Sequence, residues 1–99
     1  MQMERERNSK RNTRIWDRVA RLLDDGEKCA AIKNAFDEFS QSQRTGMGVI
    51  DACWDISQGD VPIFSGLIAA IDDVLLFDAR KMELFVDGVG IFSQRYTED

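Results

Sequence analysis

"KMELFVDGVGIF", residues 81–92, admits two folds, and the choice between them sets the fold class of the whole chain. Taken in twos, Met82, Leu84 and Val86 share a face, Asp87-Gly88 is a favoured two-residue turn, and residues 89–92 return as the second strand of a hairpin. Taken in threes and fours, Met82, Phe85, Val86 and Val89 form one apolar stripe of a helix. Asp78 would cap its start, and Gly88 or Gly90 would stop it. The hairpin places Phe85 on the face of Glu83 and Asp87. It would also stand as an isolated two-stranded ribbon, which is marginal in water. The helix has neither fault. The spacing therefore predicts a closing helix from 79 to about 87, with a last turn added through Phe92 and Tyr96.

Outward from this segment the same period recurs. Asp60 caps a helix that begins at Pro62, since proline is tolerated in a first turn. Its side chains Ile63, Phe64, Leu67, Ile68, Ile71, Val74 and Leu75 girdle it so widely that it should be the central helix. Before it, Gly46-Met47-Gly48 opens a segment with Met47, Ile50, Cys53, Trp54 and Ser57 on one side, stopped at Gly59. "VIDACWDI" partly alternates, but no second clear strand is present to pair with it. Further back, Cys29, Ile32, Ala35, Phe36 and Phe39 mark a helix from about Glu27. Ile15, Trp16, Val19, Ala20, Leu22 and Leu23 mark another, capped by Asn12 or Thr13. The expected fold is all-α, a compact bundle of about five short helices over residues 12–99. Residues 1–11 are expected to be a basic, frayed arm.

Composition narrows the class of function. Ninety-nine residues, 43% of them hydrophobic, suffice for one core without disulfide staples. Cys29 and Cys53 lie within apolar periodic segments and read as free thiols of a reducing compartment. No run approaches the roughly 18 apolar residues of a membrane span, and the amino terminus is not that of a secretory signal. The expectation is an intracellular, cytoplasmic chain with no membrane contact. The net charge of −5 conceals an asymmetry. Residues 1–21 carry seven basic against three acidic groups, and the rest carry six basic against fifteen acidic. A basic arm on so acidic a body reads as a locally paired, solvated helix, and the body argues against nucleic acid as a partner.

The chain has no histidine, and with it no imidazole base or ligand. Its two cysteines have no C-x-x-C spacing, and "DDGEK" lacks the alternating oxygen ligands of a calcium loop. Gly46-Met47-Gly48 is too short for a phosphate loop, and Gly88-Val89-Gly90 follows a helix instead of preceding one. Asp24/Asp25 and Asp72/Asp73 read as solvated charge. No enzymatic activity and no cofactor or metal is expected.

Three stretches resemble the harmonin-homology domain, the small helical adaptor module found in harmonin, whirlin and the cerebral cavernous malformation scaffold. "RVARLLDDGEKCAAIKNAFDEFSQSQ" is similar to its first two helices. "GDVPIFSGLIAAI" is similar to the start of its fourth, and "FDARKMELFVDGVGI" to a last helix ending in an apolar-Gly-apolar step. Where the family carries a proline soon after the fourth helix, this chain has Asp72-Asp73. Paired amphipathic helix domains share an "EF-x-Q" rhythm and are the nearest rival. Either resemblance implies a scaffold or adaptor that binds an amphipathic or short apolar helix of another protein between its own helices. An apolar groove rimmed by acids would favour a partner helix with Leu or Ile and flanking Lys or Arg. Large aromatics anchor such grooves, so the candidate groove residues are Met47, Ile50, Trp54, Phe64 and Leu67. The alternative is a small acidic inhibitor or immunity-type protein that occupies a basic site by charge. The sequence leaves partner and oligomeric state open.

Overall fold

A computed structural model describes residues 2–97 of the chain, with side-chain surroundings for residues 10–95. The architecture is an all-α bundle of five helices: α1 (Gln2–Leu23), α2 (Gly26–Ser40), α3 (Gly46–Ser57), α4 (Val61–Val74) and α5 (Ala79–Thr97). A 3-10 turn, Leu75–Phe77, joins α4 to α5, and no strand occurs among the described residues.

The starts of α2, α3, α4 and α5 are each fixed by a short polar side chain in the preceding loop. Asp25 Oδ1 accepts from the backbone N–H groups of Glu27 at 2.9 Å and Lys28 at 3.2 Å. Thr45 Oγ1 accepts from Gly48 N at 3.0 Å, Asp60 Oδ1 from Ile63 N at 3.2 Å, and Asp78 Oδ1 from Lys81 N at 3.1 Å. These bonds satisfy N–H groups that have no partner within the helix, and each stabilises its helix by about 1 kcal/mol. Helix α3 ends with Gln58 and Gly59 both in the left-handed region, φ 55° and 78°. That reversal turns the chain into the α4 cap.

The 81–92 stretch is helical throughout, so the hairpin is excluded. Its stop differs from expectation. Helix α5 runs through both glycines to Thr97, because Gly88 packs tightly on the start of α3 and does not serve as a left-handed cap. The buried stripe is Met82, Phe85, Val89 and Phe92; Val86, expected within it, is 54% exposed. Tyr96 lies outside the described side chains.

The centre of the bundle is α3, where α4 was expected. Helix α3 packs against α2, α4 and α5, whereas α4 packs on α1 and α3. The reason is volume. Small or fully buried residues at Gly46, Val49, Ile50, Cys53 and Ser57 let neighbours approach α3 from several sides. The wider apolar girth of α4 leaves Val61 exposed and Ile63, Phe64 and Ile68 half-buried. The fully buried core comprises Ile32, Phe39, Val49, Ile50, Cys53, Leu67, Ile71 and Phe85, closed by Val19 from α1.

Helix α1 begins at Gln2, well before the cap expected at Asn12 or Thr13, both of which are interior to it. Of the 1–11 segment expected to form a basic arm, side chains 1–9 lie outside those described. From position 10 onward the basic side chains of α1 grip the end of α4. Arg11 Nη2 donates to the Asp73 carbonyl while its guanidinium lies 5.2 Å from the centre of the Phe77 ring. Arg18 Nη2 donates to Asp73 Oδ2 at 2.6 Å. Cations at a helix C-terminus favour the helix dipole.

Candidate functional site

The five candidate groove residues separate into three places. Ile50 and Leu67 are 0% exposed and belong to the core, so they present nothing to a partner. Trp54 and Phe64 meet edge-on, ring centroids 5.1 Å apart, and both contact Phe92, at 5.7 and 5.2 Å. Met47 lies apart from them, half-buried at the first turn of α3. Two grooves result, one on either side of the buried stripe of α5.

The first groove, about 450 Å³, runs between the α2–α3 loop, the start of α3 and the middle of α5. Its walls are Met47, Leu84 and Ile91, and its floor includes Gly46 and Gly88. Leu84 and Ile91 are 45% and 52% exposed, and they stand two helical turns apart on α5. Gly88 lies between them, and its lack of a side chain lets the backbone at the start of α3 pack directly on α5. The rim carries Arg44, Lys81 and Asp87, a mixture of charges where acids were expected. Lys81 is engaged: Nζ donates to the Phe39 carbonyl at 3.2 Å and to Ser42 Oγ at 3.1 Å, and lies 5.4 Å from the Phe39 ring centre. Arg44 is also engaged, Nε to Glu38 Oε2 at 3.0 Å and Nη2 to the same oxygen at 2.8 Å. Both cations serve to fasten the loop between α2 and α3 against α5 and α2.

The second groove, about 370 Å³, opens between α4 and α5, which both pack on α3. Phe64, Ile68 and Asp72 form one ridge of α4 at i, i+4 and i+8. Val89, Phe92 and Ser93 face them from α5. The Trp54 ring lies behind Phe64 and Phe92. Asp72 is unusual. Its Oδ1 is shielded from solvent and accepts no hydrogen bond from any described residue. Burial, then the charge of Asp73, pushes its carboxyl above the ordinary carboxylate range. Its neighbour Asp73 is held by Arg11 and Arg18, as described above. Of two adjacent carboxylates, one is paired and the other is not.

Leu84 and Ile91 lie off the apolar stripe at 82, 85, 86 and 89, the dominant periodic signal of this segment. Their signal was available: two large aliphatics seven residues apart, off the buried stripe of an amphipathic helix. Among the described residues no group of His, Cys, Asp or Glu is placed to hold a metal ion. Also among them, no helix is long and apolar enough to cross a membrane. Cys29 and Cys53 are free thiols; burial pushes the Cys53 thiol up to about 12.

The fold and its surfaces define an all-α bundle with two apolar grooves flanking its last helix. The chain matches no protein-family model, no curated protein and no solved structure.

Proposed function

We propose that this chain is a protein-interaction module, a scaffold or adaptor of the harmonin-homology kind, that takes an amphipathic or short apolar helix of a partner protein in the groove over Gly88. The observation that carries this reading is that Leu84 and Ile91, both about half exposed, line one groove together with Met47, whereas Val86, equally exposed on the same helix, lies off it. Two aliphatic side chains two turns apart match the anchor spacing of an apposed helix, which reads i, i+3 or i+4, and i+7. The groove, about 450 Å³, leaves room for a partner side chain between them, and Met47 adapts its shape to what enters. Desolvating this apolar wall supplies the affinity, while Asp87 and the rim cations fix direction and register.

The test is a titration of the labelled domain with amphipathic Leu-rich helical peptides, followed by methyl and amide NMR. Shifts centred on the Met47 methyl and the 84–91 backbone are the expected result. Failure of every such peptide to move those signals refutes the reading.

A further inference from the structure

The second groove has an electrostatic feature that the first lacks. Its apolar end is Phe64, backed by the Trp54 and Phe92 rings, and its other end is Asp72, two turns along the same ridge of α4. From this arrangement we infer that the α4–α5 cleft is a second docking site, and that its occupant is a basic amphipathic helix of a partner protein. An aliphatic side chain of that helix packs against Phe64 and Ile68, and a Lys or Arg pairs with Asp72. This site is separate from the groove over Gly88.

The argument for a cationic occupant rests on geometry. The cleft lining is apolar apart from Asp72, Ser65 and Ser93, and among the described residues it contains no basic side chain. Arg11 and Arg18, the basic groups seen to contact the end of α4, are both directed to Asp73. One oxygen of Asp72 is out of solvent without a donor, and the side chain is otherwise part-exposed on the cleft wall, where a partner's cation can reach it. In such a partly dry site an opposite charge interacts more strongly than it does across open solvent. A partly buried carboxylate without a donor is costly to the free domain, and the charge of a docked Lys or Arg offsets part of that cost. The acidic balance of residues 22–99, six basic groups against fifteen acidic, attracts such a helix at longer range.

The experiment uses the full chain and two stapled amphipathic peptides, identical except for Lys or its uncharged norleucine analogue at the position two turns from the anchoring Leu. Binding is read from the Trp54 indole resonance, since Trp54 contacts two residues that line this cleft. The Lys peptide should bind about tenfold tighter than the norleucine peptide, the size of one charge-assisted hydrogen bond. In Asp72→Asn the two peptides should bind alike, with norleucine binding no weaker than before. Preference for Lys that survives Asp72→Asn overturns the inference, because the general field of the acidic body would then explain it. An unmoved Trp54 resonance at saturating peptide also overturns it, and leaves the Gly88 groove, read from Met47, untouched. A Trp54 shift on raising protein concentration alone, with a doubled mass by light scattering, would make the occupant a second copy and overturn the choice of partner.

Discussion

Gly46 and Gly88 face each other across the contact of α3 with α5, and neither has room for a side chain. A Cβ on Gly46 would fall 2.5 Å from the Leu84 carbonyl oxygen, and one on Gly88 would fall 2.7 Å from Met47 N and 2.8 Å from the Gly46 carbonyl carbon. Backbone meets backbone here, so the obstacle cannot swing aside as a side chain would. The approach sets the depth of the groove beneath Leu84 and Ile91.

A pair of alanine substitutions two residues apart should therefore move stability in opposite directions. Gly90→Ala meets nothing within 4 Å, and in a helix interior alanine is favoured over glycine by up to about 1 kcal/mol. Gly88→Ala gains the same propensity but forces α3 and α5 apart, an overpacking cost of about 1–3 kcal/mol or more. Urea melts should show Gly90→Ala more stable than the parent and Gly88→Ala less. Two stabilised variants would show that the helices separate without strain.

These glycines also mark the limit of what the sequence discloses. Asp60, Asp78 and the 3.6-residue period are local signals, and they located α4 and the start of α5. A glycine after an apolar stripe is equally local and reads as a stop, because glycine tolerates the left-handed cap. The same missing side chain allows two backbones to touch, and only the position of Gly46, distant in sequence, decides between these uses. The rank of α3 over α4 was hidden for a similar reason: burial depends on how many neighbours a helix can admit, and small residues admit more than a wide apolar girth does. Of the candidate site, the Trp54–Phe64 pair was legible as aromatics on successive helices. That Ile50 and Leu67 turn inward depends on the packing directions of α3 and α4, which no single-helix pattern contains.

The two thiols should react in sequence. Cys53 is fully buried and its thiol is raised to about 12, so almost no thiolate exists at neutral pH. Cys29 is half-buried on α2. A disulfide-exchange reagent at pH 8 should modify one thiol per chain in the native state and the second only on unfolding. The Cys29→Ser variant should then be silent until denaturant is added; prompt labelling of that variant would mean that α3 opens readily.

Asp72 should make the domain less stable at neutral pH than it becomes in mild acid. Its folded-state value is raised above the ordinary 3.8, through burial first and the Asp73 charge second. The folded form therefore takes up a proton before the unfolded chain does, and the destabilisation present above the raised value is relieved as pH falls through it. The facing charges are Asp73 on α4 itself, and Arg11 and Arg18 of α1, both of which engage Asp73. Asp72→Asn should melt higher than the parent at neutral pH. The difference should shrink as the medium is acidified toward 3.8. Thermal melts across this range check it; a variant that is less stable at neutral pH would mean that the carboxylate has a partner.

The groove over Gly88 predicts that binding and stability can be separated on α5. Leu84 and Ile91 are about half exposed in the free domain, so Leu84→Ser and Ile91→Ser remove less buried apolar area than a core truncation does. Each should destabilise the fold by about 1 kcal/mol, half of what full burial of such a side chain contributes, and leave the domain folded. In a complex the same side chains become desolvated anchors, and their truncation should weaken a captured apolar helix by about tenfold or more. Val86→Ser supplies the comparison. Val86 is equally exposed at 54% but does not line the groove, so its loss should leave affinity for the peptide unchanged. Isothermal titration of the three variants with one peptide decides the matter. Equal losses at 84, 86 and 91 would mean that the peptide adheres to exposed apolar surface in general, and that the groove does not recognise it.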